Sequence, residues 1–144
     1  MHRSLAIAAN NAVWELLDAD SPDVTELLSR AYAASYHWTR VADRTPANAA
    51  RASWLLSRCH VVLGHGELAL HHADECAAAV AEAGLQDFDL GYAHEGRARA
   101  CAALGRDHEA MVELSAAREV QIADVEDREV FDADLAAPPW FGLA

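Results

Sequence analysis

Apolar residues recur every three or four positions along almost the whole chain, and no stretch alternates apolar and polar residues one by one. The first spacing places apolar side chains on one face of an α-helix, whereas strict alternation would indicate a half-buried strand. The pattern therefore predicts an all-α protein. It is clearest between residues 24 and 41, where the predicted buried face consists of Val24, Leu27, Leu28, Ala31, Ala34, Trp38 and Val41.

Proline and glycine mark the predicted helix ends. Ser21-Pro22 and Thr45-Pro46 each indicate an N-cap followed by proline in the first turn. Gly64, Gly84 and Gly105 each follow an apolar helical run, and glycine is common just past a helix end. Because the connections are short, successive helices should pack as antiparallel neighbours. The predicted helices cover roughly residues 3–18, 22–42, 46–63, 67–83, 87–104, 107–124 and 126–136.

Two segments of the chain resemble each other. VVLGHGELALHHA begins at position 61 and AALGRDHEAMVEL at position 102, so that Gly64 and Gly105 are 41 residues apart. In each segment a helix ends in Leu-Gly, a short turn follows, and a second helix has a small residue, Ala69 or Ala110, where the two would cross. This arrangement resembles the tetratricopeptide repeat.

The resemblance implies a right-handed superhelical array of three antiparallel helical hairpins, over about residues 3–42, 47–83 and 88–124. A capping helix and tail, 126–144, would complete a single domain covering residues 1–144. The core positions that the resemblance implies are Leu56, Ser57, His60, Leu63, Ala69, Ala73 and Cys76 in one unit, and Arg97, Ala98, Cys101, Leu104, Ala110, Leu114 and Ala117 in the next.

The chain has 144 residues and a formal net charge of −12. A surface this acidic repels phosphate groups, so we expect neither nucleic acid nor a membrane surface as a partner. Cys59, Cys76 and Cys101 are an odd number of widely spaced thiols, which is typical of a reducing cytoplasm. All 11 basic residues are arginine, which favours a bacterial source. We therefore expect a bacterial cytoplasmic protein.

The segment LALHHADECAAAV has two histidines, an aspartate, a glutamate and a cysteine in six consecutive positions. On a helix, Cys76 falls on the predicted buried stripe, while His71 and the two acids point to solvent. His72 and Cys76 share a face, but a structural zinc needs four ligands and a catalytic zinc three. We therefore predict no metal and no cofactor here. Completing the set with His60 or His65 depends on a geometry that the sequence does not reveal.

Signatures of enzymes are missing as well. HEGRA and HEAMV begin like a zinc-protease motif but lack its second histidine. The sequence has no glycine-rich phosphate loop and no nucleophile elbow. We therefore predict no catalytic residues and a protein that is not an enzyme.

The resemblance also implies a ligand groove, because the first helix of each tetratricopeptide unit lines the concave face of the array. Guanidinium groups bind carboxylates, and aromatic faces bind apolar or cationic side chains. By analogy with family members that have basic grooves, the ligand is an acidic or C-terminal peptide segment, or a small carboxylate. The alternative is that the arginines pair with the protein's own acids. The predicted groove residues are Arg51, Trp54, Arg58, Tyr92, Glu95 and Arg99.

The chain ends in APPWFGLA, in which Pro138-Pro139 is incompatible with a helix. We predict that Trp140 and Phe141 are buried where this tail folds back as a cap on the last helices. The alternative is a homodimer in which the tail docks into a second copy.

The predicted function is a non-enzymatic module that binds a protein or peptide partner. The alternative is a small-ligand enzyme or sensor with a polar pocket in the groove. An open trough favours the module, and a deep pocket with a buried histidine favours the alternative.

Overall fold

The computed structural model describes residues 1–18 and 22–143, and within these residues it contains seven α-helices and no strand. The all-α prediction is confirmed. None of the described helices is long and apolar enough to cross a membrane. The helices are α1 (His2–Leu17), α2 (Val24–Trp38), α3 (Pro46–Val62), α4 (Gly66–Ala83), α5 (Asp87–Ala103), α6 (Asp107–Glu119) and α7 (Val125–Ala136).

The start of α3 is the one predicted. Thr45 is its N-cap, with Pro46 in the first turn, and the Thr45 hydroxyl accepts a hydrogen bond from the Asn48 N–H at 3.2 Å. The start of α2 differs from the prediction. Its N-cap is Asp23, whose carboxylate accepts from the Glu26 N–H at 2.9 Å, while Ser21 lies outside the described residues.

α6 ends at Glu119, about five residues earlier than predicted. The backbone is extended at Val120 and again at Asp124, and side chains from other helices bind polar groups of this segment. The Arg128 guanidinium donates to the Val120 carbonyl oxygen at 2.9 Å, and the Asp87 carboxylate accepts from the Ala123 N–H at 2.9 Å. These two contacts replace the hydrogen bonds of a continued helix.

The turns after α3 and α5 have the same geometry. Gly64 and Gly105 have φ of 77° and 72°, a left-handed conformation that glycine adopts without steric cost. The N–H of His65 donates to the His60 carbonyl at 2.8 Å, and that of Arg106 to the Cys101 carbonyl at 2.9 Å. Corresponding residues are 41 positions apart, so the sequence repeat is also a repeat of backbone structure at these two turns.

The helices pack mainly as sequential neighbours, with α1 on α2, α3 on α4 and α5 on α6. α4 also packs on α5, α2 on α3, and α3 on α5. All the core positions implied by the repeat are buried or half-buried, including Arg97, which pairs with Asp74 and Glu113. On the predicted buried face of α2, one position is wrong: Val24 is exposed, since it is the first residue of the helix.

α7 and the tail lie against α5 and α6. Phe131 of α7 is fully buried, with its ring over Gly91 of α5. In the tail, Trp140 and Leu143 pack against Cys101 and its buried neighbours on α5 and α6. The burial expected for Phe141 is wrong, because its side chain is 46% exposed. The tail thus contacts the array through Trp140 and Leu143 and leaves Phe141 in solvent.

Candidate functional site

A cavity of about 570 Å³ opens between α1, α3, α5 and α7. Five aromatic side chains form much of its wall: Trp14, Trp38, Trp54, Phe88 and Tyr92. These side chains lie on the helix faces that point toward the cavity. The cavity is therefore the space that remains between the helices after α7 has packed against α5.

Aromatic contacts make this wall continuous. The rings of Trp14 and Trp54 stack with centroids 5.7 Å apart, and Trp54 meets Tyr92 edge-to-face at 5.2 Å. Tyr92 in turn meets Phe131 edge-to-face at 4.9 Å. Aromatic pairs in these arrangements attract each other beyond the effect of burial alone. The wall is consequently held in place from α1 to α7.

Glu95 lies behind the aromatic wall and is 1% exposed. Its carboxylate accepts a hydrogen bond from the Trp54 indole N–H at 3.2 Å. The guanidinium groups of Arg58 and Arg99 lie 3.5 Å and 3.4 Å from its two oxygens. Burial raises the pKa of Glu95, and the two guanidiniums oppose that rise. This buried charge cluster links α3 with α5 directly beneath the cavity.

Arg99 also holds the C-terminal segment. It is 1% exposed and donates to the carbonyl oxygens of Ala137 at 2.9 Å, Pro139 at 3.0 Å and Asp134. Burial lowers the pKa of Arg99 to about 10, so it stays charged at neutral pH. The oxygen atoms that it binds belong to the end of α7 and the tail.

The six predicted groove residues divide into two groups. Arg51, Trp54 and Tyr92 line the cavity, whereas Arg58, Glu95 and Arg99 form the buried cluster beneath it. The sequence predicted that the three guanidiniums converge on one open groove. They do not, because α7 and the tail cover Arg99. Arg51 is exposed and forms a two-bond pair with Asp89, at 2.9 Å and 3.3 Å.

Several cavity residues were not predicted from the sequence. Trp14 belongs to α1, which the resemblance included only as part of a helical hairpin, and Asp134 belongs to α7, which was expected only to cap the array. The Tyr92 hydroxyl donates to the Asp134 carboxylate. No periodic signal assigns these residues to a site, because the packing of the first and last helices against the middle of the chain brings them there.

A second polar cluster lies between α2, α3 and α4. The hydroxyl of Tyr32 is 3.0 Å from His60 Nε2 and 3.2 Å from His72 Nε2. His72 Nδ1 is 2.6 Å from a Glu75 carboxylate oxygen, and His60 Nδ1 is 3.1 Å from His65 Nδ1. His72, which the sequence placed on one helix face with the buried Cys76, is 9% exposed.

Comparisons with known proteins give this site no relatives. A scan against protein-family models, a search of curated proteins and a search of solved structures each find no match for the chain. The resemblance to the tetratricopeptide repeat therefore rests on the residues and the two turns described above.

Proposed function

We propose that this chain is a non-enzymatic interaction module of tetratricopeptide type, which binds a segment of a partner protein in the aromatic cavity. The observation that carries the proposal is the cavity itself, with Trp14, Trp54 and Tyr92 on its walls. Binding sites are concave and mostly apolar, with a few polar groups that orient the ligand. The repeated turns after α3 and α5 support the assignment to this repeat type.

The walls of the cavity suit a large apolar side chain of the partner. Aromatic residues contribute much of the binding energy at protein interfaces, because they bury a large area with few rotatable bonds. Asp89 and Asp134 also line the cavity, so a carboxylate placed deep inside would be repelled. The interior therefore selects an apolar group over an acidic one.

The acidic or carboxylate-bearing ligand expected from the sequence now depends on Arg51. Of the predicted groove arginines, Arg51, Arg58 and Arg99, only Arg51 lines the cavity. Its side chain is 60% exposed. Asp89 accepts from two of its nitrogens, and a guanidinium has further N–H donors. We propose that an acidic group of the bound segment contacts Arg51 at the rim, beside the apolar side chain that enters the cavity.

The experiment is a titration of the full chain with three peptides that share one apolar centre, flanked by glutamate, by alanine or by arginine. Binding is followed through the fluorescence of Trp14, Trp38 and Trp54, which all line the cavity. The glutamate-flanked peptide should bind most tightly. The Arg51→Glu variant should reverse the preference between the glutamate and arginine flanks.

A cavity-filling variant tests the location. Ala52 lines the cavity on α3, so Ala52→Leu should weaken peptide binding at least about tenfold, equivalent to 1.4 kcal/mol. Ala49, on the same helix, is exposed and not among the cavity walls, so Ala49→Leu is the matched control. Saturable binding that Ala52→Leu leaves unchanged would place the ligand elsewhere, and no saturable binding of any peptide would reject the proposal.

The size of the cavity favours a second candidate, a sensor for a small apolar molecule. Its volume of about 570 Å³ lies in the range of roughly 300–1,000 Å³ of small-molecule sites. A polar enzyme pocket was expected to contain a buried histidine. Among the described residues no histidine lines this cavity. A small apolar ligand should be blocked by Ala52→Leu and insensitive to Arg51→Glu, which distinguishes it from a peptide.

A further inference from the structure

We propose that Tyr32, His60 and His72 form a binding site for a divalent transition-metal ion of the Zn²⁺ or Cu²⁺ class. Each residue comes from a different helix, α2, α3 and α4 in order. The sequence predicts no metal at LALHHADECAAAV because α4 alone offers too few ligands on one face. The packing of α2 and α3 adds one donor from each, which no spacing within α4 could reveal.

Three donor atoms meet at this point. His60 Nε2 and His72 Nε2 lie 3.0 Å and 3.2 Å from the Tyr32 hydroxyl oxygen. Ligands about 2.0–2.1 Å from a tetrahedral metal ion are roughly 3.3 Å from one another. The two imidazole rings are nearly parallel, with an interplanar angle of 8° and centroids 5.6 Å apart. The distances from the two nitrogens to the phenol oxygen are therefore close to the distances between ligands of a single metal ion.

The second nitrogen of each imidazole has a partner of its own. Glu75 accepts from His72 Nδ1 at 2.6 Å, and His65 Nδ1 lies 3.1 Å from His60 Nδ1. Metal-binding histidines nearly always have such an outer partner, which fixes the ring and directs the other nitrogen to the metal. Here the outer partners direct both Nε2 atoms to the same point.

The hydrogen bonds give a proton count for metal binding. With neutral imidazoles, His72 Nδ1–H donates to Glu75, so the Tyr32 hydroxyl donates to His72 Nε2 and accepts from His60 Nε2–H. Coordination by His60 Nε2 requires its other tautomer, with Nδ1–H donating to His65. The imidazoles only exchange positions of their protons, while Tyr32 binds as phenolate. One proton is therefore released for each metal ion bound.

Burial supports a defined site with one open side. His60 is 1% exposed and His72 is 9% exposed, whereas Tyr32 is 42% exposed. Water can complete the coordination from the tyrosine side. A competing site exists on the surface of α4, where donor atoms of His71, His72 and Glu75 lie within 4.8 Å of one another. It shares His72 with the proposed site but uses neither Tyr32 nor His60.

The first experiment titrates the full chain with Zn²⁺ alone by calorimetry, in two buffers of different ionisation enthalpy. We expect one ion per chain and about one proton released. Cu²⁺ should give a phenolate-to-copper absorption band. Tyr32→Phe should abolish the band and weaken Zn²⁺ binding at least about tenfold. Tyr36→Phe, four residues along the same helix, should change neither.

A second pair of variants separates the two sites. His60→Gln should weaken Zn²⁺ binding at least about tenfold, while His71→Ala should leave it unchanged. Loss of binding in His71→Ala with retention in His60→Gln would assign the ion to the surface of α4 and overturn the proposal. So would Zn²⁺ binding by Tyr32→Phe equal to that of the unaltered chain, or the absence of saturable binding. If His60→Gln does not fold by circular dichroism, the tyrosine pair decides.

Discussion

The guanidinium of Arg99 lies over the indole ring of Trp140, with its central carbon 4.1 Å from the ring centroid. The same guanidinium donates to the carbonyl oxygens of Ala137 and Pro139 and lies 3.4 Å from the Glu95 carboxylate. One buried arginine therefore connects the tail to the charge cluster under the cavity. Changes to the tail and changes to that cluster should both reduce the stability of the fold.

The first prediction concerns Trp140. Its ring packs on Cys101 and Ala102 and covers Arg99, and its indole N–H donates to the Leu135 carbonyl at 2.9 Å. Burial of a large side chain contributes about 2 kcal/mol and a cation–π contact about 0.5–1 kcal/mol. Trp140→Ala should therefore lower the free energy of unfolding by about 2.5–3 kcal/mol, measured by urea denaturation.

Phe141→Ala is the control for this variant, because the neighbouring aromatic side chain is 46% exposed. Its effect should stay within about 0.5 kcal/mol, as for most surface substitutions. Equal effects of the two substitutions would mean that the tail does not pack through Trp140. A shift from dimer to monomer in Trp140→Ala without loss of stability would instead support the homodimer alternative.

The second prediction concerns Glu95. Glu95→Gln retains the shape of the side chain but leaves Arg58 and Arg99 without their shared carboxylate. Removing one partner of a buried ion pair costs about 3–5 kcal/mol, because the remaining charge is uncompensated. Thermal and urea unfolding should show a loss of this order. Arg58→Glu should also destabilise the fold, because it would place a second carboxylate beside Glu95.

Asp89→Asn is the matched control for the charge cluster. It also removes the carboxylate of an arginine pair, but its partner Arg51 is 60% exposed. Exposed pairs contribute at most about 1 kcal/mol. If Glu95→Gln costs no more than Asp89→Asn, the buried cluster does not stabilise the fold.

The parts of the fold that were predictable are those with local causes. The capping box at the start of α3 lies entirely within residues 45–48. The turns at Gly64 and Gly105 each need one residue in the left-handed conformation, which glycine supplies. The all-α class follows from periodicity alone. The end of α6 was not predictable, since the contacts to the next residues come from Asp87 of α5 and Arg128 of α7, which the pattern within α6 does not reveal.

The candidate site was only partly predictable for the same reason. Helical spacing placed Trp54 and Tyr92 in one group, and the structure brings both of them, from α3 and α5, to the cavity. The surroundings of Arg99 depend on where α7 and the tail pack, which no spacing within α5 reveals. The burial of His72 likewise depends on Tyr32, 40 residues away in the sequence.

The third prediction concerns Gly91, on which α7 packs. A Cβ atom at this position would lie 3.0 Å and 3.1 Å from two ring carbons of Phe131. The gain in helix propensity from Gly91→Ala, up to about 1 kcal/mol, is then opposed by an overpacking cost of about 1–3 kcal/mol. We expect a net loss of stability of about 1 kcal/mol. Urea denaturation of Gly91→Ala measures this loss.

A double-mutant cycle shows whether the cost arises from Phe131. Phe131→Leu removes the ring atoms that the new methyl group would meet, so Gly91→Ala should be neutral or stabilising in that background. A coupling of about 1 kcal/mol between the two positions is the expected result. Additive effects of the two substitutions would mean that α7 does not rest on Gly91.

The last prediction concerns the buried thiols at alkaline pH. Burial raises the pKa of both Cys59 and Cys76 from the ordinary value of 9.0 to about 12. Between these values the unfolded chain releases the thiol protons and the folded chain retains them. The stability that the thiols contribute is therefore fully present below pH 9 and is lost as the pH rises towards 12.

Between pH 9 and pH 10 each thiol is deprotonated in the unfolded chain but protonated in the folded chain, and this difference costs about 1.4 kcal/mol per pH unit. From pH 8 to pH 10 the two thiols together should therefore lower the free energy of unfolding by roughly 3 kcal/mol. Urea denaturation at both pH values measures the change. In the Cys59→Ala/Cys76→Ala variant the difference in stability between the two pH values should shrink by about that amount, even though the variant is less stable at either pH.

The folded chain should also react slowly with a thiol reagent at pH 8, and all three cysteines should react once denaturant is added, since Cys101 is buried as well. Rapid modification of Cys59 or Cys76 in the folded chain, or an unchanged pH difference in the double variant, would show that these thiols are not buried in the core.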